Sequence, residues 1–324
     1  ARRCEQQCLG LGLDIAGVDV VCDSVLRPLE AQGGGIVEIN AAPGLRMHLQ
    51  PSFGKGRPVG EAIVANMFAP GDDARIPLVA VAGTNGKTTT VRLVAHIIGQ
   101  SGLRVGMTTT DGVYIQGRRI DTGDCSGPKS AKNVLLHPDV DAAVLETARG
   151  GVLREGLGFD RCDVAVVTNI GLGDHLGLSY ISTVEDLSVV KRVIVQNVRP
   201  GTGVAVLNAA DPMVARMADS CPGSVTFFAA DHHHPVMAMH RAQRKRVVYR
   251  DGDSIVASGG GVEHRIALAD IPLTQHGAIG FQVENAMAAT ATTWALGVSW
   301  EATHAGLRSF VNDAQNAPGR FNVF

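Results

Sequence analysis

The segment Val79-Ala80-Val81-Ala82-Gly83-Thr84-Asn85-Gly86-Lys87-Thr88-Thr89-Thr90 carries the residue types needed to hold a phosphate. A short apolar strand feeds a glycine turn, and a helix is predicted to begin near Lys87. Such a turn aims successive backbone N–H groups and a helix N-terminus at phosphate oxygens. Lys87 then reaches the outer phosphates, and the Thr88 hydroxyl reaches Mg²⁺. The strict Walker pattern is not met, because its first glycine falls at Val81. A plain strand-to-helix turn is the alternative; Gly-x-x-Gly-Lys-Thr in this setting favours nucleotide binding.

Two more groups stand at the ends of apolar runs. Glu146 closes Ala142-Ala143-Val144-Leu145-Glu146 and is followed by Thr147-Ala148-Arg149-Gly150-Gly151. Val164-Ala165-Val166-Val167-Thr168-Asn169 leads to Gly171-Leu172-Gly173-Asp174-His175. Open parallel sheets bind ligands beyond the carboxyl ends of their strands, so all three groups should converge. Taken singly, Glu146 reads as a surface carboxylate and Asp174 as a helix cap. Together with the glycine turn they offer oxygen and imidazole ligands to a metal bridging ATP and a second substrate.

Ser182-Thr183-Val184-Glu185-Asp186-Leu187 opens a helix with capping-box chemistry, and Val184, Leu187, Ile194 and Val198 mark its apolar stripe. Lys191 falls within that stripe. Either its ammonium snorkels to solvent, or it is buried as a nucleophilic amine able to react with CO₂. Asp19, Glu38 and Asn40 lie on apolar strands near the N-terminus, with 38 and 40 on one strand face. They could hold Mg²⁺, and a strand's solvent face explains them equally well. His232-His233-His234 and His240 lack a Cys or spaced carboxylate to complete a metal set and read as a solvated loop; 241–246 reads as a solvated basic face.

These side chains need a scaffold, and the pattern supplies one. Short β-branched runs at 78–82, 143–146, 164–168 and 204–207 precede turns and helix-length segments. That alternation predicts an α/β fold with a mainly parallel sheet. Hairpins are predicted around Gln116-Gly117 and Asp251-Gly252, and helices over 282–296 and 301–311. The polar, proline-containing stretch 69–77 marks a domain boundary.

Composition narrows the function classes. Lys and Arg number 29 against 31 Asp and Glu, a net charge of -2, which removes a general electrostatic case for nucleic acid or an anionic membrane. No signal-peptide core or long apolar run is present, and the six cysteines form no C-x-x-C pair, which predicts reduced thiols in a cytoplasmic protein. The 39 glycines follow no collagen period and imply many tight turns. The absence of an initiator Met points to a larger parent.

Gly83-Thr84-Asn85-Gly86-Lys87-Thr88-Thr89, followed by Thr168-Asn169, Asp174-His175 and Gln282-Val283-Glu284-Asn285-Ala286, resembles the central domain of the Mur ligase superfamily. Val37-Glu38-Ile39-Asn40-Ala41-Ala42-Pro43-Gly44 resembles the closing metal-binding strand of an ATP-grasp ligase. Segments 44–49, 108–112 and 145–151 are more similar to ligases joining both halves than to peptidoglycan or folate ligases.

The resemblance implies a P-loop, doubly wound, mainly parallel α/β sheet preceded by the C-terminal remnant of an ATP-grasp domain. Residues 1–68 would be that remnant, 69–76 a linker, 77–317 the central ATP-binding domain and 318–324 the start of a Mur C-terminal domain. It implies ATP and Mg²⁺ as cofactors and two alternating ligations through acyl phosphates. The ATP-grasp half extends a poly-aspartate backbone, and the Mur half joins arginine to each β-carboxylate. L-aspartate, L-arginine and their polymer are thus the implied partners, with no nucleic acid or membrane, and the implied parent is a homo-oligomer.

Carried over residue by residue, Gly83, Thr84, Asn85, Gly86, Lys87, Thr88 and Thr89 cradle ATP, with Lys87 on the γ-phosphoryl group and Thr88 on a first Mg²⁺. Glu146 and His175 hold a second Mg²⁺, and Lys191 matches a carbamylated lysine that supports it. Asn285 contacts the nucleotide, Asn169 organises the site, and Asp19, Glu38 and Asn40 match the ATP-grasp Mg²⁺ ligands. The ATP-grasp nucleotide loop and the closing Mur lobe lie outside the chain, which implies a fragment without activity of its own. Another Mur-type amino-acid ligase and a non-catalytic nucleotide-binding module are the alternatives.

Overall fold

The computed structural model describes residues 8–171, 177 and 180–311. The chain divides into two compact units, one ending at Arg75 and the other beginning at Ile76.

In the first unit, β1 (Gly17–Val21) pairs antiparallel with β2 (Gly35–Asn40), and two helices follow, α1 (Arg46–Leu49) and α2 (Val59–Met67). None of its described residues is buried. Val21, Val37, Val64 and Met67 are all exposed, so the strand pair encloses no core. Two strands alone are marginal in water.

The second unit is built on β3 (Leu78–Ala82), β4 (Val105–Thr109), β5 (Gly112–Ile115), β6 (Arg118–Thr122), β7 (Ala142–Glu146), β8 (Val164–Val167), β9 (Val204–Asn208), β10 (Ser224–Asp231), β11 (Val247–Asp251), β12 (Ser254–Gly259) and β13 (Val262–Ala267). They form one sheet in the order β13-β12-β11-β10-β9-β8-β3-β7-β4-β5-β6. The run from β11 to β4 is parallel throughout, and antiparallel hairpins finish both edges.

The helices are α3 (Lys87–Gly99), α4 (Pro128–Leu135), α5 (Arg149–Glu155), α6 (Val184–Gln196), α7 (Pro212–Ala215), α8 (Pro235–Ala242), α9 (Gly280–Ala295) and α10 (Trp300–Ser309). The strand period divides the apolar side chains into two cores: Val79 and Val81 of β3 join the one formed with α3 and α9, while Leu78, Ala80 and Ala82 join the one formed with α4 and α6. Both faces of the sheet are therefore covered, which is why β3, β7 and β8 read as unbroken apolar runs.

The chain leaves β3 for β4, returns to place β7 between them, and crosses β3 to place β8 on its other side. That reversal opens a crevice at the C-terminal ends of β3, β7 and β8.

Strands β4, β10 and β13 were not anticipated. The second hairpin turns on Gly252-Asp253 rather than Asp251-Gly252: Asp251 pairs with Ser254, and Gly252 takes the left-handed first turn position at φ 56°. Among the described residues no helix is long and apolar enough to cross a membrane. Cys8, Cys22, Cys125, Cys162 and Cys221 are free thiols; Cys4 lies outside the described residues.

Candidate active site

Gly83 and Gly86 shape the turn after β3, with φ values of 149° and 83°. Both are held to glycine by close approach as well as by backbone conformation. A Cβ on Gly83 would run into Thr168 Oγ1, and one on Gly86 into Asn285 Oδ1. Lys87 opens α3 and donates from Nζ to Thr84 O at 3.0 Å, folding back over the turn whose phosphate it is suited to meet.

Thr88 is buried and donates from Oγ1 to Glu146 Oε2 at 2.9 Å. The sheet dictates this contact: Val81 lies opposite Glu146 in the β3–β7 register, so the first turn of α3 overhangs the end of β7. Glu146 is only 2% exposed, not the surface carboxylate its isolated position suggested. The Thr110 N–H donates to the same Oε2 at 3.2 Å, and Thr110 Oγ1 lies 3.3 Å from Thr88 Oγ1. Two hydroxyls and a carboxylate thus meet beside the phosphate turn, hard oxygen donors of the kind Mg²⁺ takes alongside phosphate oxygens. Among the described residues no three His, Cys, Asp or Glu side chains group to hold a metal.

Asn169 grips the turn from β8. Its Oδ1 accepts the Asn85 N–H at 2.9 Å, and its Nδ2 donates to Asn85 O at 3.1 Å. Thr168 Oγ1 donates to the same carbonyl at 2.6 Å, and Gly171 N donates to Thr84 Oγ1 at 2.9 Å. Behind them, Asn208 Nδ2 donates to Thr168 O at 2.9 Å, and Asp211 Oδ2 accepts the Ile170 N–H at 2.7 Å. Asn208 and Asp211 escaped the sequence reading. An Asn closing the apolar run of β9 and an Asp before Pro212 were the available signals, the second an ordinary helix N-cap that Asp211 also fulfils for α7.

Lys191 is 4% exposed and donates from Nζ to Gly83 O at 2.7 Å. Snorkelling is thereby excluded: α6 packs against β3 and β8 with Leu187 and Ile194 buried on the same stripe, which aims the lysine at the phosphate turn. The predicted capping box is present, Thr183 accepting from Asp186 N and Asp186 accepting from Thr183 N. Asn285 is buried beside Gly86, its Nδ2 donating to Gln282 Oε1 at 2.9 Å. Asp174 and His175 lie outside the described residues, as do 312–324.

Asp111 follows Thr110 and pairs with buried Arg92 at 2.5 Å. Burial would raise its pKa, but the Thr109 hydroxyl, the Arg92 charge and the Tyr114 hydroxyl together hold it below the usual carboxylate value. In the first unit Asp19 stands directly opposite Glu38, and Asn40 Nδ2 donates to Asp19 Oδ2 at 3.4 Å, so the three occupy one sheet face. Of the histidines, His240 is buried with Nε2 2.9 Å from Val225 O, and burial lowers its pKa; His232 lies over His233.

A parallel sheet wound on both faces, with a glycine turn and helix N-terminus at its switch point and Lys, Thr and Glu side chains gathered there, defines a P-loop nucleotide-binding domain. The chain belongs to the Mur ligase middle domain family, whose model matches residues 81–293. It is 46% identical over 315 residues to a cyanophycin synthetase of Synechocystis sp., covering 97% of this chain and 36% of that protein. A cyanophycin synthetase of Nostoc sp. is 45% identical over 317 residues, covering 97% and 35%. The chain therefore spans about a third of the length of these curated relatives.

Among solved structures, a UDP-N-acetylmuramoyl-L-alanyl-D-glutamate–2,6-diaminopimelate ligase superposes with a TM-score of 0.57 at 21% identity, covering 73% of this chain and 46% of that one. A bifunctional folylpolyglutamate synthase/dihydrofolate synthase with Mn, AMPPNP and L-glutamate bound gives 0.52 at 21% identity, covering 78% and 61%. At these identities the likeness is one of fold.

Proposed function

We propose that this chain is the ATP-using, carboxylate-activating part of a cytoplasmic, homo-oligomeric ligase that joins arginine to the β-carboxylates of a poly-aspartate backbone, the reaction its family resemblance implies. The observation that carries the reading is the meeting of Thr88, Thr110 and Glu146 beside Lys87 at the sheet's switch point.

The chemistry follows from the acyl group. A carboxylate is a poor acyl donor at neutral pH, and transfer of the γ-phosphoryl group of ATP to its oxygen makes an acyl phosphate and ADP. Attack by the arginine amine on that carbonyl then forms the amide and expels phosphate. Gly83 to Thr89 cradle the nucleotide, Lys87 stabilises charge on the γ-phosphoryl group, and Asn285 contacts the nucleotide. Thr88, Glu146 and His175 would hold Mg²⁺, which offsets the repulsion between carboxylate and phosphate. Lys191, which donates to the Gly83 carbonyl, is read as supporting that site, directly or as a carbamate.

The first unit is read as part of an ATP-grasp domain, with Asp19, Glu38 and Asn40 as its Mg²⁺ ligands and 69–76 as the linker to a Mur central domain over 77–317. Support comes from the shared face of those three side chains and from a strand pair that has no core of its own.

Replacing Lys87 with Ala should lower ATP affinity at least tenfold by calorimetric titration while the thermal midpoint stays unchanged; unaltered affinity would sink the reading. In the complete parent, phosphate release should depend on arginine together with an aspartate polymer. Release triggered equally by another amino acid would reassign the substrate within Mur-type ligases.

A further inference from the structure

We propose that Arg92 and Asp111 form a positioning clamp that, through Thr110, sets the spacing of the oxygens that Thr88 and Glu146 would offer to Mg²⁺. The inference rests on the ATP–Mg²⁺ reading above and assigns a role to two residues that take no part in it.

Thr88 and Arg92 stand one helical turn apart on the same face of α3. The Arg92 side chain is 4% exposed, and its Nη2 reaches both Asp111 Oδ2 at 2.5 Å and the Tyr114 hydroxyl at 2.9 Å. Its guanidinium also lies 4.7 Å above the Tyr114 ring. The other carboxylate oxygen of Asp111 accepts from Thr109 Oγ1, and the Tyr114 hydroxyl donates to Asp111 Oδ2 at 3.3 Å. The turn joining β4 to β5 is thus fastened to the helix by its last member, and Thr110 is carried between Thr109 and Asp111. From there its N–H meets Glu146 and its hydroxyl meets Thr88.

With Arg92 buried and the Asp111 side chain 31% exposed, the pair adds little net stability, since desolvation of the guanidinium offsets most of the attraction. Its geometric effect is larger. The planar guanidinium bonds carboxylate and phenol while its carbon lies over the ring, which fixes the height of the turn against α3; an ammonium lacks that shape. Asp111 also neutralises a cation one helical turn from Thr88. Without it, that charge would oppose Mg²⁺.

The test uses the full chain, with AMPPNP as nucleotide and Mn²⁺ as the metal, followed by electron paramagnetic resonance. The variants are Asp111→Asn, Arg92→Met and the double change. Each single variant should weaken Mn²⁺ binding to the nucleotide complex by about tenfold or more, while AMPPNP affinity in excess chelator stays at the wild-type value. The double variant should recover the melting temperature, because no buried charge is left unpaired, yet keep the weakened Mn²⁺ affinity. Wild-type Mn²⁺ affinity in the double variant would make the pair merely structural and overturn the clamp. A wild-type chain that binds AMPPNP but gains nothing from Mn²⁺ would overturn the metal reading instead, and the clamp with it.

Discussion

At the scale of single residues, the phosphate turn is defined as much by what it excludes as by what it binds. Gly86 sits at φ 83° with the Asn285 amide against the place a side chain would occupy. Gly86→Ala should therefore cost about 1–3 kcal/mol of stability and weaken ATP binding more than tenfold, read by thermal melting and by titration. Peptides around Asn85 are held from two sides, by Asn169 and by Thr168, and Thr168 in turn by Asn208. This second layer keeps the turn's N–H groups aimed before any ligand arrives, the condition for electrostatic stabilisation without reorganisation.

At the scale of elements, the position of α3 governs the site, because it carries Lys87, Thr88 and Arg92. Its outer flank packs on α10 where Gly306 faces Ile97; a Cβ there would fall 2.7 Å from Ile97 Cγ1 and 2.8 Å from its Cα. Gly306→Ala should push α10 off α3 and destabilise by about 1–3 kcal/mol in urea denaturation. Strands β4 and β7 are tied at their N-terminal ends by Arg104, whose Nε and Nη2 donate to Asp141 at 2.9 and 2.8 Å. Those side-chain bonds, with one from the Arg104 backbone, lower the Asp141 pKa to about 2. A folded pKa below the unfolded one means stabilisation that is complete above about pH 4 and lost as pH falls toward about 2. Asp141→Asn should remove that portion of the acid limb when the urea midpoint is followed against pH, and an unchanged limb would refute the assignment.

For the whole molecule, the two units differ in kind. The second holds every buried residue among those described, while the first has none. Limited proteolysis within 69–75 should release a piece beginning near Ile76 that keeps the full cooperative thermal transition and the ATP affinity of the intact chain. Loss of that transition on cleavage would show that the first unit contributes to the fold it precedes.

The phosphate turn, the start of α3 and the strand-end position of Glu146 were legible in the sequence because they are local. A glycine spacing fixes backbone conformation, and an apolar run announces where a buried strand ends. The same holds for the capping box of α6, though its spacing left Lys191 free to point either way. Only the packing of that helix on β3 and β8 turned the ammonium toward Gly83. The convergence of Thr110 on Glu146, the hold of Asn208 on Thr168 and the Arg92–Asp111 pair had no sequence signature strong enough to be read. Each depends on which strand lies beside which, and a parallel sheet settles that through crossovers that bury both faces. The residue types determined what chemistry this protein can hold; the order of its strands decided which of those residues meet.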